Sequence, residues 1–256
     1  MTRAGCLALA LVLPLVQPAG AAPPTGGAPA AFDRNATKLA PGFSGLEPEG
    51  FYWKLPDETR DPGESDADYA ERTAKERAPF AGGHAFAVHL RPGAGAEGEP
   101  CAWRARYDEG AGKLVVVTSA LAKDRVCLVY RTNAPPFSKP KGPLAPGEKE
   151  RKDKAIELKI ASGTGREGAG PAGVTELSVA GVEPAAGKRL AAGDLRVVVV
   201  ADTTGSGDVD LYRLRPGTST EPEIWVRSYR IVVARPEAWL FDRKTGEIFL
   251  KEPLEK

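Results

Sequence analysis

The chain has 256 residues, enough for one large or two small domains, and its 42% hydrophobic and 27% charged residues are ordinary for a globular protein. Thirty-five basic against 34 acidic residues leave a net charge of +1, so no global field attracts nucleic acid or an anionic membrane. Twenty-nine glycines and 23 prolines predict many loops and turns.

Residues 1–22 have the features of a signal peptide. Arg3 supplies a short positive region, residues 7–16 are apolar but too short to span a bilayer, and residues 19–22 are small, as a cleavage site requires. The alternative is an apolar tail without a targeting role. The composition is typical of bacterial proteins. We therefore predict an exported bacterial protein, periplasmic or secreted, with no transmembrane segment.

Two cysteines, Cys101 and Cys127, remain once residues 1–22 are removed. An even number of cysteines in an exported chain predicts one disulfide. It would close a loop of about 25 residues and contribute roughly 3 kcal/mol in the loop-entropy model. The alternative is two free thiols or a catalytic thiol.

Shifts in composition divide the rest of the chain. Residues 23–50 are rich in Pro, Gly and Ala, which predicts a flexible lead-in. Residues 51–132 are predicted to form a β-rich region with one helix, residues 133–153 a Pro- and Lys-rich linker or long loop, and residues 154–256 a second β-rich domain. The sequence leaves open whether the two β-rich regions are one domain or two.

One helix is predicted, over residues 65–78. Ser65 and Asp68 are typical of a capping box, and the helix must stop before Pro79. Its apolar side consists of alanines, which indicates a surface helix. The aromatic residues 51–53 that precede it are predicted to form a strand or to cover the core, the alternative being a patch that stacks on a ligand.

From Gly82 onward, apolar residues recur with a period of two, which predicts strands. The predicted strands cover residues 84–90, 101–107, 113–119, 126–131, 155–161, 174–182, 195–201, 209–214, 223–234, 239–242 and 247–250. The second and third of these are expected to form a hairpin. The last two are expected to form another, with Gly246 at positive φ in its turn. The predicted fold class is mainly β, an antiparallel β-sandwich or barrel-like sheets with one short surface helix.

The strongest strand signal is the apolar run at residues 195–200, interrupted only by Arg196. Such a run predicts a central strand that is covered on both faces. Gly205 and Gly207 are predicted to allow a tight reversal, after which residues 209–214 would pair antiparallel with that strand.

Residues 205–212, Gly-Ser-Gly-Asp-Val-Asp-Leu-Tyr, resemble the Gly-Asp-x-Asp-Leu-Tyr core of bacterial pre-peptidase C-terminal domains. These are small β-sandwiches appended to secreted enzymes, so the resemblance implies a strand–turn–strand unit in a secreted sandwich. In some relatives acidic side chains near this turn hold calcium, which implies Asp202, Asp208 and Asp210 as oxygen ligands here. The alternative is that these carboxylates bond nearby backbone amides. No other cofactor is predicted.

No group of residues indicates catalysis. His84 and His89, the only histidines, would lie on opposite faces of one strand, which argues against a paired metal site. His84 shares its face with Phe86 and Val88, which favours a packed, hydrogen-bonded histidine. The HExxH, CxxC and Gly-x-Ser-x-Gly motifs do not occur in the sequence.

These observations favour a non-enzymatic binding or accessory protein of the periplasm or cell exterior, with an unidentified envelope or extracellular partner and no nucleic acid. One alternative is a secreted hydrolase that uses carboxylates or a lone histidine, which needs a pocket with two carboxylates or a triad. Another is a carbohydrate-binding module, which needs Trp53, Trp225 or Trp239 to be exposed.

Overall fold

The computed structural model describes residues 31–95, 99–122, 124–132, 150–162, 175–218 and 221–255. The predicted signal peptide, residues 133–149 of the predicted linker and residues 163–173 of a Gly-rich segment lie outside these ranges. Within them, no helix has both the length and the apolar character needed to cross a membrane.

Strands dominate the described part of the chain. They are β1 Ala81–Ala87, β2 Arg91–Pro92, β3 Trp103–Asp108, β4 Lys113–Thr118, β5 Leu121–Ala122, β6 Arg125–Arg131, β7 Glu150–Ile160, β8 Thr175–Ala180, β9 Leu195–Arg215, β10 Glu223–Asp242 and β11 Ile248–Pro253. The helices are α1 Pro48–Tyr52, α2 Asp66–Arg77 and α3 Pro184–Arg189. The predicted mainly β fold class is confirmed.

The strands form two sheets. The larger sheet has the order β1-β9-β10-β7-β6-β5, with β11 also paired to β10, and the smaller has the order β2-β3-β4-β8. Most neighbours are antiparallel, but β10 pairs with β7 in parallel, and so does β2 with β3. Trp103 and Leu114 of the small sheet share one buried cluster with Phe86, Leu158 and Val199 of the large sheet. The core therefore lies between the two sheets, as in a sandwich.

Both sheets combine strands from either side of residues 133–149. In the large sheet β1 pairs with β9 and β6 pairs with β7, and in the small sheet β4 pairs with β8. The two β-rich regions of the sequence thus complete each other's sheets and share the core between them.

The helix α2 confirms the predicted surface helix. The Ser65 hydroxyl accepts a hydrogen bond from the Asp68 N–H (3.2 Å), as expected for the N-cap. Residues 51–53 were predicted to form a strand or to cover the core. The strand is wrong, because helix α1 occupies Pro48–Tyr52, whereas Phe51 is buried in the core. Pro48 stands in the first turn of α1 and the Glu47 carboxylate accepts from the Gly50 N–H (2.5 Å), so local capping favours a helical turn there.

Residues 31–46 belong to the segment predicted as a flexible lead-in, but they pack against the large sheet. Leu39 is buried, and Phe32 and Phe43 pack with it against Trp239 and Phe241 in a second hydrophobic cluster. Apolar side chains spaced through this Pro- and Gly-rich segment supply the contacts that order it.

Strand β9 confirms the predicted central strand. Val197 and Val199 face the main core, while Val198 and Val200 face the second cluster, and all four are buried. The strand is paired on both edges here, with β1 on one side and β10 on the other.

The predicted tight reversal at Gly205 and Gly207 is wrong. β9 continues as one strand of 21 residues, and residues 209–214 pair with β10. Gly207 lies opposite Ile231 and Thr203 lies opposite Val233, so residues 204–206 form a bulge, with Gly205 at a φ of 76°. The glycines permit this bulge, and the 20-residue β10 supplies a pairing partner on both sides of it.

Candidate binding surface

An aromatic cluster lies on the surface where helix α1 meets the large sheet. Trp53 directly follows α1, and its ring contacts Tyr52 and Tyr229 with centroid separations of 5.1 and 5.0 Å. Tyr52 also packs on Tyr229 (5.3 Å). Although these contacts fix its position, Trp53 exposes 60% of its surface.

Two aliphatic side chains of β9 extend this cluster. Val209 lies opposite Tyr229 in the β9–β10 register, and Leu211 is two residues further along the same face. They expose 54% and 53% of their surfaces. We call Tyr52, Trp53, Val209, Leu211 and Tyr229 the aromatic patch. Exposed apolar surface of this kind is typical of interaction sites.

Positive charge borders the aromatic patch. Arg227 of β10 lies opposite Leu211 of β9 on one side and opposite Lys154 of β7 on the other. The three side chains therefore form one row across the sheet. Arg227 and Lys154 are exposed, and neither makes an ion pair with another residue in the described ranges. Arg213, by contrast, is paired with Glu223 (3.2 Å).

Asp208 and Asp210 lie on the opposite face of β9, each bound to cations. Arg230 contacts Asp208 (2.5 Å) and Asp210 (2.8 Å), and Lys159 contacts Asp208 (2.8 Å). Burial acts to raise the pKa of Asp208, but the bonds from Arg230 and Lys159 outweigh it and lower that pKa. Asp208 is therefore held as a paired carboxylate.

Asp202 lies on the other side of the bulge and has different partners. Its carboxylate accepts from Arg235 (2.7 Å) and pairs with Arg34 (3.2 Å), instead of binding the amides of Thr204 or Gly205. Among the residues that the structure describes, no cluster of three His, Cys, Asp or Glu side chains is arranged to hold a metal. A calcium site at Asp202, Asp208 and Asp210 stays a prediction, and the ion would have to displace these pairs.

A small cavity of about 40 Å³ lies beside the disulfide. Its walls include Arg125, Tyr130, Glu157 and Tyr212. Pockets that enclose organic ligands usually measure about 300–1,000 Å³, so this cavity suits a water molecule or a small ion.

The carboxylate of Glu157 is 2% exposed and fully engaged. It accepts hydrogen bonds from Ser228 (2.6 Å) and from the Tyr212 hydroxyl (3.0 Å), and Arg125 lies 3.9 Å away. Burial, followed by the charge of Glu157, raises the pKa of Tyr212. Tyr212 is therefore a fixed donor to this carboxylate at neutral pH.

Asp153, on the same strand as Glu157, is also buried and bonded. Tyr130 donates to it (2.5 Å), and Arg151 does so as well (2.8 Å). Glu157 lies four positions after Asp153 on β7, so their Cα atoms are about 13 Å apart along the strand. Glycosidase carboxyl groups lie about 5–9.5 Å apart, so this pair does not match that arrangement.

The predicted disulfide is confirmed, since Cys101 is bonded to Cys127. Cys127 belongs to β6 of the large sheet, and Cys101 lies two residues before Trp103, the first residue of β3 in the small sheet. The Trp103 indole Nε1 donates to the Cys127 carbonyl (3.2 Å) next to it. The bond therefore joins the two sheets covalently.

His84 is a packed histidine, as its neighbours in the sequence predicted. It is buried against the rings of Phe51 (5.1 Å) and Phe86 (6.3 Å), and its Nε2 donates to the Phe80 carbonyl (3.1 Å). Its Nδ1 is buried without a partner. Burial lowers the pKa of His84, against smaller opposing effects of the Phe80 bond and Asp202.

The buried His84 is expected to make stability depend on pH. Because its pKa is lowered on folding, the unfolded chain binds the extra proton more readily, so the unfolding free energy should fall as pH drops below about 6.5. Urea denaturation from pH 7.5 to 5 would measure this. His84→Gln should flatten the curve over that window. Equal slopes for wild type and His84→Gln would contradict the expectation.

Sequence reasoning missed part of the surface. Tyr229 sits in a predicted strand with no distinguishing neighbour. The alternation at residues 208–211 places Val209 and Leu211 on one face, opposite to Asp208 and Asp210, but does not show whether that face is exposed. Of the three tryptophans considered for ligand stacking, Trp53 is exposed, Trp225 half-buried and Trp239 buried. The run Phe-Tyr-Trp at residues 51–53 was the sequence signal that pointed to an aromatic surface here.

The resemblance to the pre-peptidase C-terminal domain rests on residues 205–212 alone. In this chain those residues form a bulge and a continuing strand, where the resemblance implied a turn. Comparisons of the chain with protein-family models, with curated proteins and with solved structures gave no match.

Proposed function

We propose that this chain is a non-enzymatic binding or accessory protein that acts in the periplasm or outside the cell. Its partner is recognised through the aromatic patch. The observation that carries the proposal is Trp53, which is 60% exposed and yet held against Tyr52 and Tyr229. A large ring already fixed in place loses little conformational entropy on binding, and tryptophan and tyrosine are enriched among residues that dominate interfaces.

Two observations support the compartment. The Cys101–Cys127 disulfide is of the kind that persists in oxidising surroundings, such as the periplasm and the cell exterior. Residues 1–22 have the composition of a cleaved signal peptide. Both fit a protein that works on the outer side of the cytoplasmic membrane.

The polar groups favour binding over catalysis. Glu157 and Asp153 are saturated by neighbouring donors and are too far apart along β7 for a glycosidase pair. His84 is enclosed by aromatic rings. The surface that is exposed to a partner consists instead of the aromatic patch, with the side chains of Arg227 and Lys154 beside it.

The test is capture of envelope material by the immobilised mature chain. We expect Trp53→Ala to reduce capture by at least about tenfold, the effect of removing an interface anchor. Trp53→Phe keeps an aromatic face and should retain most of the capture. Lys75→Ala, at an exposed position of α2, is the control for unrelated surface changes. Separate protein and polysaccharide fractions would show which one carries the partner.

Equal capture by wild type and Trp53→Ala would refute the proposal. Capture of polysaccharide alone, dependent on Trp53, would assign the chain to the carbohydrate-binding alternative. Trp53→Ala and Trp53→Phe should keep the wild-type unfolding free energy to within about 1 kcal/mol, since only the ring contacts with Tyr52 and Tyr229 are affected.

A further inference from the structure

One edge of β9 is open beside the aromatic patch. Pairing with β1 begins at Thr204, opposite Ala81, and covers only the first half of β9. From Gly207 to Arg215, β9 pairs with β10, and no strand in the described ranges pairs with its other edge. The seven residues from Val209 to Arg215 are long enough for a typical strand to pair with.

The main-chain groups at this edge can be assigned. The Leu211 N–H donates to the carboxylate of the preceding Asp210 (2.9 Å) instead of to β10. Outward-facing residues alternate along an antiparallel strand, so the N–H and C=O groups of Val209 and Arg213 face the open edge as well. Asp210 can release the Leu211 N–H without losing its ion pair with Arg230 (2.8 Å).

The side chains along this edge differ from those of edge strands that are protected against pairing with another chain. Edge strands usually avoid pairing with other chains through charges, prolines and bulges. The bulge at residues 204–206 and the charges of Arg213 and Arg215 lie at the two ends of the edge. Between them Val209 and Leu211 expose more than half of their surfaces.

We infer that this edge is a strand-addition site, which binds an extended segment of a partner polypeptide. Only the main chain of an extended segment presents donors and acceptors at the spacing that Val209, Leu211 and Arg213 require. The inference rests on the proposed function and names the chemical class of the partner.

Charge on the same face defines the partner further. Arg213 and Arg215 follow Leu211 along the edge, each in a solvent-exposed ion pair, with Glu223 (3.2 Å) and Glu221 (3.2 Å). Arg227, next to Leu211, has no ion-pair partner among the described residues. The added segment should therefore carry apolar residues opposite Val209 and Leu211, and acidic residues opposite the two arginines. A second copy of this chain is disfavoured, because it would bring the same basic side chains to the same face.

The probe is a capped synthetic peptide, Glu-Thr-Glu-Thr-Val-Thr-Val, which in antiparallel orientation runs from opposite Arg215 to opposite Val209. It is added to the wild-type mature protein. We expect slower hydrogen exchange of the Val209, Leu211 and Arg213 amides in residue-resolved spectra. The amides of Asp210 and Tyr212, already bonded to β10, should not change. This alternation would not arise from binding through side chains alone.

Two control peptides separate the contributions. Methylation of the peptide nitrogens that face β9 should weaken binding by at least about tenfold, because hydrogen bonds across the new pair are lost. Replacing both Glu with Lys should also weaken it, and 0.5 M salt should reduce the difference between the Glu and Lys peptides.

The inference is overturned if the unmodified peptide does not bind, if the methylated peptide binds equally well, or if the exchange rates change elsewhere. Concentration-dependent protection of the same amides without peptide would overturn it in favour of self-association. If the peptide fails while capture of envelope material still depends on Trp53, the proposed function stands and the strand-addition site does not. If the peptide does not bind and capture does not depend on Trp53, both the strand-addition site and the proposed function are refuted.

Discussion

Replacing Trp239 with alanine is expected to lower the free energy of unfolding by about 3–5 kcal/mol, the usual cost of truncating a buried tryptophan. The indole is fully buried, with Phe32 packed edge-on at 5.2 Å and the Lys251 ammonium 3.8 Å above the ring. Its Nε1 donates to Glu237 (2.9 Å). The cavity left by its removal would lie under residues 31–46, so these should become more sensitive to protease.

Urea denaturation followed by far-UV circular dichroism measures the effect, and Trp53→Ala is the matched control. The same substitution at Trp53, which is exposed and keeps only its ring contacts with Tyr52 and Tyr229, should change the unfolding free energy by no more than about 1 kcal/mol. A loss below about 1 kcal/mol in Trp239→Ala would contradict the burial of this residue.

The second large effect concerns the disulfide. The double variant Cys101→Ser, Cys127→Ser is expected to lose about 3 kcal/mol of unfolding free energy, because the bond closes a loop of 26 residues and restricts the unfolded chain. The loss should also loosen the contact between the two sheets, since the bond joins β6 to Cys101, two residues before the start of β3.

Reduction of the wild type provides an independent measurement. Reduced wild type should have the stability of the double variant, and reductant should leave the double variant itself unchanged. Thiol labelling of the unfolded, unreduced mature chain should give no adducts. Two adducts per chain would show that the bond does not form in the host.

Several features followed from the sequence alone because local stereochemistry decides them. The period of two in the apolar residues predicted the mainly β fold, and the Ser65–Asp68 capping pattern predicted α2. Gly246, at a φ of 74°, closes the predicted C-terminal hairpin between β10 and β11. The even cysteine count predicted the disulfide. Each of these signals concerns a few neighbouring residues or a simple count.

The path of the chain at Gly205 and Gly207 was decided by tertiary structure. Glycine at positive φ suits a tight turn and a bulge equally well, so the sequence around these residues is compatible with both. The choice depends on β10, which is long enough to pair with β9 before and after the bulge. That partner lies beyond the local sequence, so the local pattern predicted the wrong connection.

The same limit applies to the binding surface. Alternation shows that Val209 and Leu211 share a face, just as aromatic content shows that Trp53 and Trp239 are large apolar residues. Which of them meets solvent depends on the elements that pack over them. Residues 31–46 cover Trp239, while Trp53 lies at the surface beside an open strand edge. Sequence by itself determined the strands and the disulfide, whereas the exposed patch exists only because distant segments cover one part of the sheet and leave another free.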